Sequence, residues 1–212
     1  MRIQKFYNLL RGLKNSTDTV YNSHGGYLSM LFCHTGFNEL LNGVGHSINY
    51  GENRPVVPIG GGIPLARFYY PSIHSRLRFG DALSILHAKN LLSSEAEYRE
   101  NVCKCKQCAE LIKNTESLDR AFYVYGDSNP VTFRRRGGSI VSLEYPTGDA
   151  KKAAAYHYLY NKAKEFEDIR TGDLKHLLEN LKITYDDIAP HTGDELVAHL
   201  LTWKSSLETA SQ

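Results

Sequence analysis

A chain of 212 residues suits one domain, or one domain with a small appendage. Hydrophobic residues make up 42% and charged residues 23%, ordinary globular values that allow a core of useful size. With 25 Lys+Arg against 23 Asp+Glu the net charge is +2, which excludes a uniformly basic nucleic-acid binder; any such surface must be a local patch. No run approaches the ~18 apolar residues of a membrane span, and the opening MRIQKFYNLLRGLK lacks the apolar centre and cleavage site of a signal peptide. A soluble, cytoplasmic protein without a membrane partner is expected. The 14 tyrosines fit a wet groove or half-buried strands equally well.

In chain order, Ile3, Phe6, Leu9, Leu10 and Leu13 recur at helical spacing up to Lys14. Thr19 to Asn22 reads as a short strand running into His24-Gly25-Gly26, followed by a helix over Tyr27–Leu41. Gly43 through Glu52 reads as a strand leading into a loop. Pro55–Ile59 reads as a buried strand closed by Gly60-Gly61-Gly62. Ala82–Leu92 reads as helix. Beyond the cysteines, Ala121–Tyr125 and Ser139–Tyr145 read as strands, and Asp149 as the start of a helix reaching Arg170. Helices over Asp173–Lys182 and Gly193–Leu207 complete the chain. Strand, glycine loop and helix in alternation predict parallel βα units, an α/β fold. About three such units precede Cys103, too few for a closed (β/α)8 barrel.

Three of the four cysteines, Cys103, Cys105 and Cys108, fall within six residues, and Cys33 stands apart. Neighbours this close cannot pair as disulfides without strain, so the cluster points to a metal in a reducing compartment. Cys-x-Cys-x-x-Cys puts three thiolates on one turn, and zinc needs one more ligand. Reduced cysteines without metal are the plainer alternative. Candidates for the fourth ligand are His157, His176, His191 and His199.

His24-Gly25-Gly26-Tyr27, the strand from Gly43 to Tyr50-Gly51-Glu52, and Pro55 through Gly60-Gly61-Gly62-Ile63-Pro64 resemble, in order, three glycine-bearing strand ends of the tRNA-guanine transglycosylase superfamily. The cysteine cluster resembles its zinc knuckle, and Tyr156-His157-Tyr158-Leu159 the helix start that carries its histidine ligand. The resemblance spans roughly residues 20–170. It implies the C-terminal half of a (β/α)8 (TIM) barrel over residues 1–100, a zinc subdomain over 101–170, and a C-terminal helical segment over 171–212. It also implies Zn2+ held by Cys103, Cys105, Cys108 and His157, and exchange of guanine for a 7-deazaguanine base in tRNA or DNA. The family's N-terminal barrel half has no counterpart, so a homo-oligomer or a partner chain supplying it is expected. Histidines stand at His24 and His46 where the family has glutamine and glycine.

Asp81 precedes the knuckle as the family's nucleophilic aspartate does, and a carboxylate suits attack on an oxocarbenium-like carbon. Equally, it can cap the following helix. His24, His46 and Glu52 can face a heterocycle, with Gly25, Gly26, Gly61 and Gly62 allowing close approach; loop packing is the plainer role. Arg134, Arg135 and Arg136 beside two glycines can grip phosphates, with Lys104, Lys106 and Lys113 extending the surface, or form a solvated hairpin tip. Arg67, Tyr69, Tyr70, His74 and Arg76 form a second aromatic-basic cluster, able to stack a base or to pack as a loop. The alternative to an enzyme is a non-catalytic zinc module that binds nucleic acid or pairs with a catalytic subunit.

Overall fold

A computed structural model describes residues 2–46, 67–134 and 137–211. In chain order its elements are α1 (Arg2–Lys14), β1 (Tyr21–Asn22), α2 (Tyr27–Leu31), β2 (Gly43–Val44), β3 (Phe68–Tyr70), β4 (Ser75–Leu77), α3 (Phe79–Ala88), α4 (Glu95–Asn101), α5 (Lys106–Lys113) and α6 (Leu118–Tyr123). The hairpin strands β5 (Ser128–Arg134) and β6 (Ile140–Pro146) follow, then the long helices α7 (Gly148–Thr171), α8 (Leu174–Thr192) and α9 (Asp194–Ser211).

The fold is not a partial (β/α)8 barrel. Of the described residues 63% are helical, and the strands form three separate two-stranded sheets. A barrel needs each parallel strand bonded to the next around one sheet. Among the described residues only β1 and β2 pair in parallel, through two residue pairs, while β3–β4 and β5–β6 are antiparallel hairpins. The α/β expectation therefore gives way to an α-rich architecture with small sheets. The strand expected over Ala121–Tyr125 is instead the end of α6 and a 3-10 turn at Val124–Gly126. Ser117 decides this: its hydroxyl caps α6 by accepting from the Arg120 N–H, and Ala121 and Phe122 then face inward. Strand Pro55–Ile59 lies outside the described residues, as does the chain between Ser47 and Glu52.

The chain forms two compact units. The first comprises, among described residues, 2–46, 72–74 and 162–211. Its α8 starts where the Asp173 carboxylate accepts from the His176 N–H, and ends at Gly193, whose φ of 78° favours glycine. Leu178, Leu181 and Ile188 of α8, with Val197, Leu200 and Leu207 of α9, recur at helical spacing and are buried. The Phe32 ring packs on Phe6 of α1 and on Phe37. In the same unit a small charge cluster is buried. Glu165 accepts from His74 Nδ1 at 2.8 Å and meets Lys162 Nζ at 3.1 Å, and the His74 ring stacks on Tyr27 with centroids 3.3 Å apart.

The second unit comprises, among described residues, 67–71 and 75–161. Phe68, Tyr69 and Tyr70 of β3 are all buried. The Phe68 ring meets Phe122, Tyr125 and His157, and Tyr69 meets Tyr158. Ser94 caps α4 by accepting from the Glu97 N–H, which turns the chain towards the cysteines. The β5–β6 hairpin is closed at its base by the Thr147 N–H donating to the Asp127 carbonyl. No helix among the described residues is long and apolar enough to cross a membrane.

Candidate metal centre

The knuckle is built from local hydrogen bonds. As α4 ends, the Cys103 N–H donates to the Tyr98 carbonyl and turns the backbone. The Cys105 N–H then donates to Cys103 Sγ, and the Cys108 N–H to Cys105 Sγ, each at 3.3 Å. Cys105 is thus the N-cap of α5, with sulfur in the place usually taken by oxygen. The tight spacing of the three cysteines is what lets one turn point three sulfurs the same way.

His157 enters from α7. Its Nε2–H donates to the Tyr69 carbonyl at 2.6 Å, which turns Nδ1 towards the sulfurs, 3.4 Å from Cys108 Sγ. Metal-binding histidines are commonly oriented this way, by a backbone carbonyl on the other ring nitrogen. Phe68 stacks on the imidazole and fixes its plane. The ligand atoms of Cys103, Cys105, Cys108 and His157 all lie within 4.8 Å of one another, all four residues are buried, and none of the cysteines is in a disulfide. These four are close enough to bind a metal ion.

Around them stand residues that the sequence did not single out. Asn161 Nδ2 donates to Cys103 Sγ at 3.3 Å and to the His157 carbonyl at 2.8 Å. The hydroxyls of Tyr98 and Tyr125 lie 3.3 and 3.0 Å from Cys108 Sγ. Burial first, then neighbouring groups, pushes both phenols well above their ordinary pKa, so they keep their protons. Once Cys108 is a metal-bound thiolate, the phenols are the donors. Asn161 was within reach of sequence reasoning, since it follows His157 by four residues on one helix face.

Protonation in the metal-free chain follows the same contacts. Hydrogen bonds from Cys105 and Cys108 hold the Cys103 thiol far below its ordinary value. Cys108 is pushed the other way, by Cys103, Cys105 and burial. Burial pulls the His157 pKa down, but its hydrogen bonds to Cys103 and Cys105 outweigh that and raise it to about 9.

Tyr125→Phe should keep the fold and weaken metal binding by about 10- to 100-fold, the usual cost of losing a partner of a metal ligand. Competition against a metallochromic chelator measures this, and unchanged affinity would show that the hydroxyl does not support Cys108.

The remaining candidates are dispersed. His24 is exposed, and His46 Nδ1 donates to the Gly25 carbonyl at 3.0 Å. Gly25 has a packing reason to be glycine: a Cβ there would stand 2.5 Å from Val44 Cγ1 and 2.6 Å from Ser29 Cβ. Gly26 precedes α2 with an extended backbone. His24, Gly25, Gly26 and His46 thus gather around the β1–β2 pair, whereas Asp81 belongs to the other unit. Asp81 is half-buried in the first turn of α3, and the N-cap there is Arg78. A carboxylate in that turn is favoured by the helix dipole.

Glu52, Gly60, Gly61, Gly62, Arg135 and Arg136 lie outside the described residues. Arg134 is exposed at the end of β5, and Lys104, Lys106 and Lys113 are exposed around the knuckle. In the second aromatic-basic cluster Tyr69 and Tyr70 are buried, and the Arg76 guanidinium lies 3.7 Å over the Tyr158 ring, so these groups pack within the unit. Of the other histidines, His176 and His191 are exposed, and His199 Nε2 donates to the Ile73 carbonyl. No protein-family model, no curated protein and no solved structure matches the chain.

Proposed function

We propose that Cys103, Cys105, Cys108 and His157 hold one zinc ion in a structural role, and that the chain serves as a zinc-stabilised nucleic-acid-binding module in the cytoplasm. The observation that carries the metal assignment is the burial of all four ligands around one point. Structural zinc sites are closed in this way, whereas catalytic ones keep a position open to water or substrate. Three thiolates and one imidazole are a zinc donor set, and tetrahedral zinc with bonds near ~2.3 Å needs sulfurs about 3.8 Å apart, inside the 4.8 Å spread seen here. Four cysteines free of disulfides suit a reducing compartment. Nucleic-acid binding is supported by exposed Arg134 and the exposed lysines around the knuckle.

The purified chain should contain about one zinc. His157→Ala should lose it to a chelator far more readily than His176→Ala or His199→Ala. Zinc takes thiolates and neutral imidazole. In the metal-free chain Cys108 is held as a thiol, and His157 keeps its second proton up to about pH 9. Loading at neutral pH therefore expels protons, and zinc affinity falls as pH falls. Calorimetry in buffers of different ionisation enthalpy reads the proton release. Equal zinc retention in the three histidine variants would remove His157 from the site.

A second function is favoured by one observation. The three cysteines and the histidine brought together are those, in the same order, singled out by the transglycosylase resemblance. On that view Asp81 is the nucleophile. Incorporation of labelled guanine into tRNA or DNA, lost in Asp81→Ala, separates it from the non-catalytic module.

A further inference from the structure

Beside the metal cluster, within the second unit, α5 and α7 form the two walls of an open groove of about 370 Å³. Lys106, Gln107 and Glu110 line one wall, and Lys152, Tyr156 and Tyr160 the other. Cys105 also borders it, so the groove adjoins the metal cluster. Lys152, Tyr156 and Tyr160 follow one another at four-residue intervals, a single stripe along α7. Tyr156 is 57% exposed and Tyr160 40% exposed. Across the groove Lys106 is almost fully exposed and lies 3.7 Å from Glu110, a contact that solvent screens strongly.

Two exposed phenol rings beside two ammonium groups are an unusual use of a helix surface. A solvated helix face has no need of aromatic rings, and a packed one would bury them. The combination suits a ligand with a flat ring and a phosphate. The ring stacks on a tyrosine face, and the phosphate meets a lysine. Gln107 and Glu110 add an amide and a carboxylate able to pair with the edge of a base.

We infer that this groove binds a nucleoside phosphate unit, stacking its base on Tyr156 and Tyr160 and setting its phosphate against Lys106 and Lys152. This deepens the nucleic-acid function proposed above by naming the surface that performs it. The metal is tied to the groove by construction. Cys105 begins α5, and His157 lies on α7 behind the wall that faces the groove, so an ion held by both would fasten the two helices together. That coupling rests on the zinc assignment, whereas the groove's side chains do not.

The test uses the full chain, zinc content measured on the same sample, and a fluorescein-labelled oligothymidylate of about ten nucleotides. Fluorescence anisotropy should show binding. Replacing Tyr156 and Tyr160 together by Ala should weaken it by at least about tenfold, while replacing both by Phe should retain it. Lys106→Ala with Lys152→Ala should flatten the salt dependence by about 0.7 for each lysine lost. Unlabelled ATP identifies the source of the ligand: displacement of the oligonucleotide by ATP at comparable concentration marks a free nucleotide, and its failure to compete marks a strand. The groove is overturned if the Ala pairs bind as the wild type does, or if binding disappears only in Arg134→Ala. A zinc-loaded chain that binds neither probe also overturns it and leaves the metal assignment standing. A zinc-free chain whose binding is lost in the Tyr156→Ala/Tyr160→Ala variant does the reverse.

Discussion

Cys105→Ser should bring the metal content from about one per chain to near zero and abolish the cooperative unfolding of the second unit. Cys105 does two things at once: its sulfur is one of the four ligand atoms close enough to bind a metal ion, and it caps α5 by accepting from the Cys108 N–H. A serine hydroxyl can keep the cap but is a poor zinc ligand, so the variant isolates the metal's share. That share is large. Structural zinc contributes about 10–16 kcal/mol in isolated zinc-binding peptides, while whole domains are stable by about 5–15 kcal/mol. Losing the ion therefore removes as much as the unit has. Helicity from α8 and α9 should persist, because their buried stripe of Leu178, Leu181, Ile188, Val197, Leu200 and Leu207 belongs to the first unit. Cys33→Ser, at a half-buried thiol of that first unit, should change neither metal content nor melting of the second. Elemental analysis beside a circular dichroism melt reads all three quantities, and metal retained by Cys105→Ser would contradict the assignment.

Glu165→Ala should destabilise the first unit by about 3–5 kcal/mol. The carboxylate is 8% exposed, and the Lys162 side chain it meets is only 2% exposed. Removing it leaves a buried ammonium without this carboxylate, and takes from His74 the acceptor at 2.8 Å that holds its ring on Tyr27. Tyr27 reports on the same charges: burial first, then Glu165 and Asp168, keeps its phenol well above the ordinary value. Glu165→Gln retains an acceptor and should recover part of the loss. Glu167→Ala, two residues on, breaks an exposed pair with Arg170 and should change the urea midpoint little. A Glu165→Ala midpoint equal to that of Glu167→Ala would show that the buried pair contributes no more than a surface one.

Short-range patterns were the legible part of this chain. The helix expected over Asp149–Arg170 is Gly148–Thr171 in the structure, and the one expected from Gly193 begins at Asp194. Both follow from 3.6-residue spacing, which needs only neighbouring residues, although the capping oxygen of α7 is not that of Asp149 but the Thr147 hydroxyl, which accepts from the Ala150 N–H. The cysteine knuckle was legible for the same reason. His157 was not, since nothing local separates it from His176, His191 and His199; only the resemblance ranked it first. Ala121–Tyr125 misled because a short run of apolar and aromatic residues fits a buried strand or a buried helix equally well. The barrel expectation failed at longer range. Gly25 is needed where Val44 and Ser29 crowd the backbone, a demand that looks in sequence like a ligand loop. Strand pairing also depends on partners that periodicity does not name, and β1 and β2 meet over two residue pairs only.

His157 follows Cys108 by 49 residues, and the intervening chain carries α6 and the β5–β6 hairpin. During synthesis the three thiols leave the ribosome well before the imidazole. The metal can therefore be captured by sulfur first, and the ring closes only when α7 arrives. An ion held by all four would act as a cross-link whose loop cost grows only with the logarithm of its length, about 0.6 kcal/mol for each doubling. The hairpin is already pinned at its base by Asp127 and Thr147, so lengthening or trimming its tip hardly alters that cost. The tip beyond Arg134, at the end of its first strand, can therefore change in length while the metal site stays fixed.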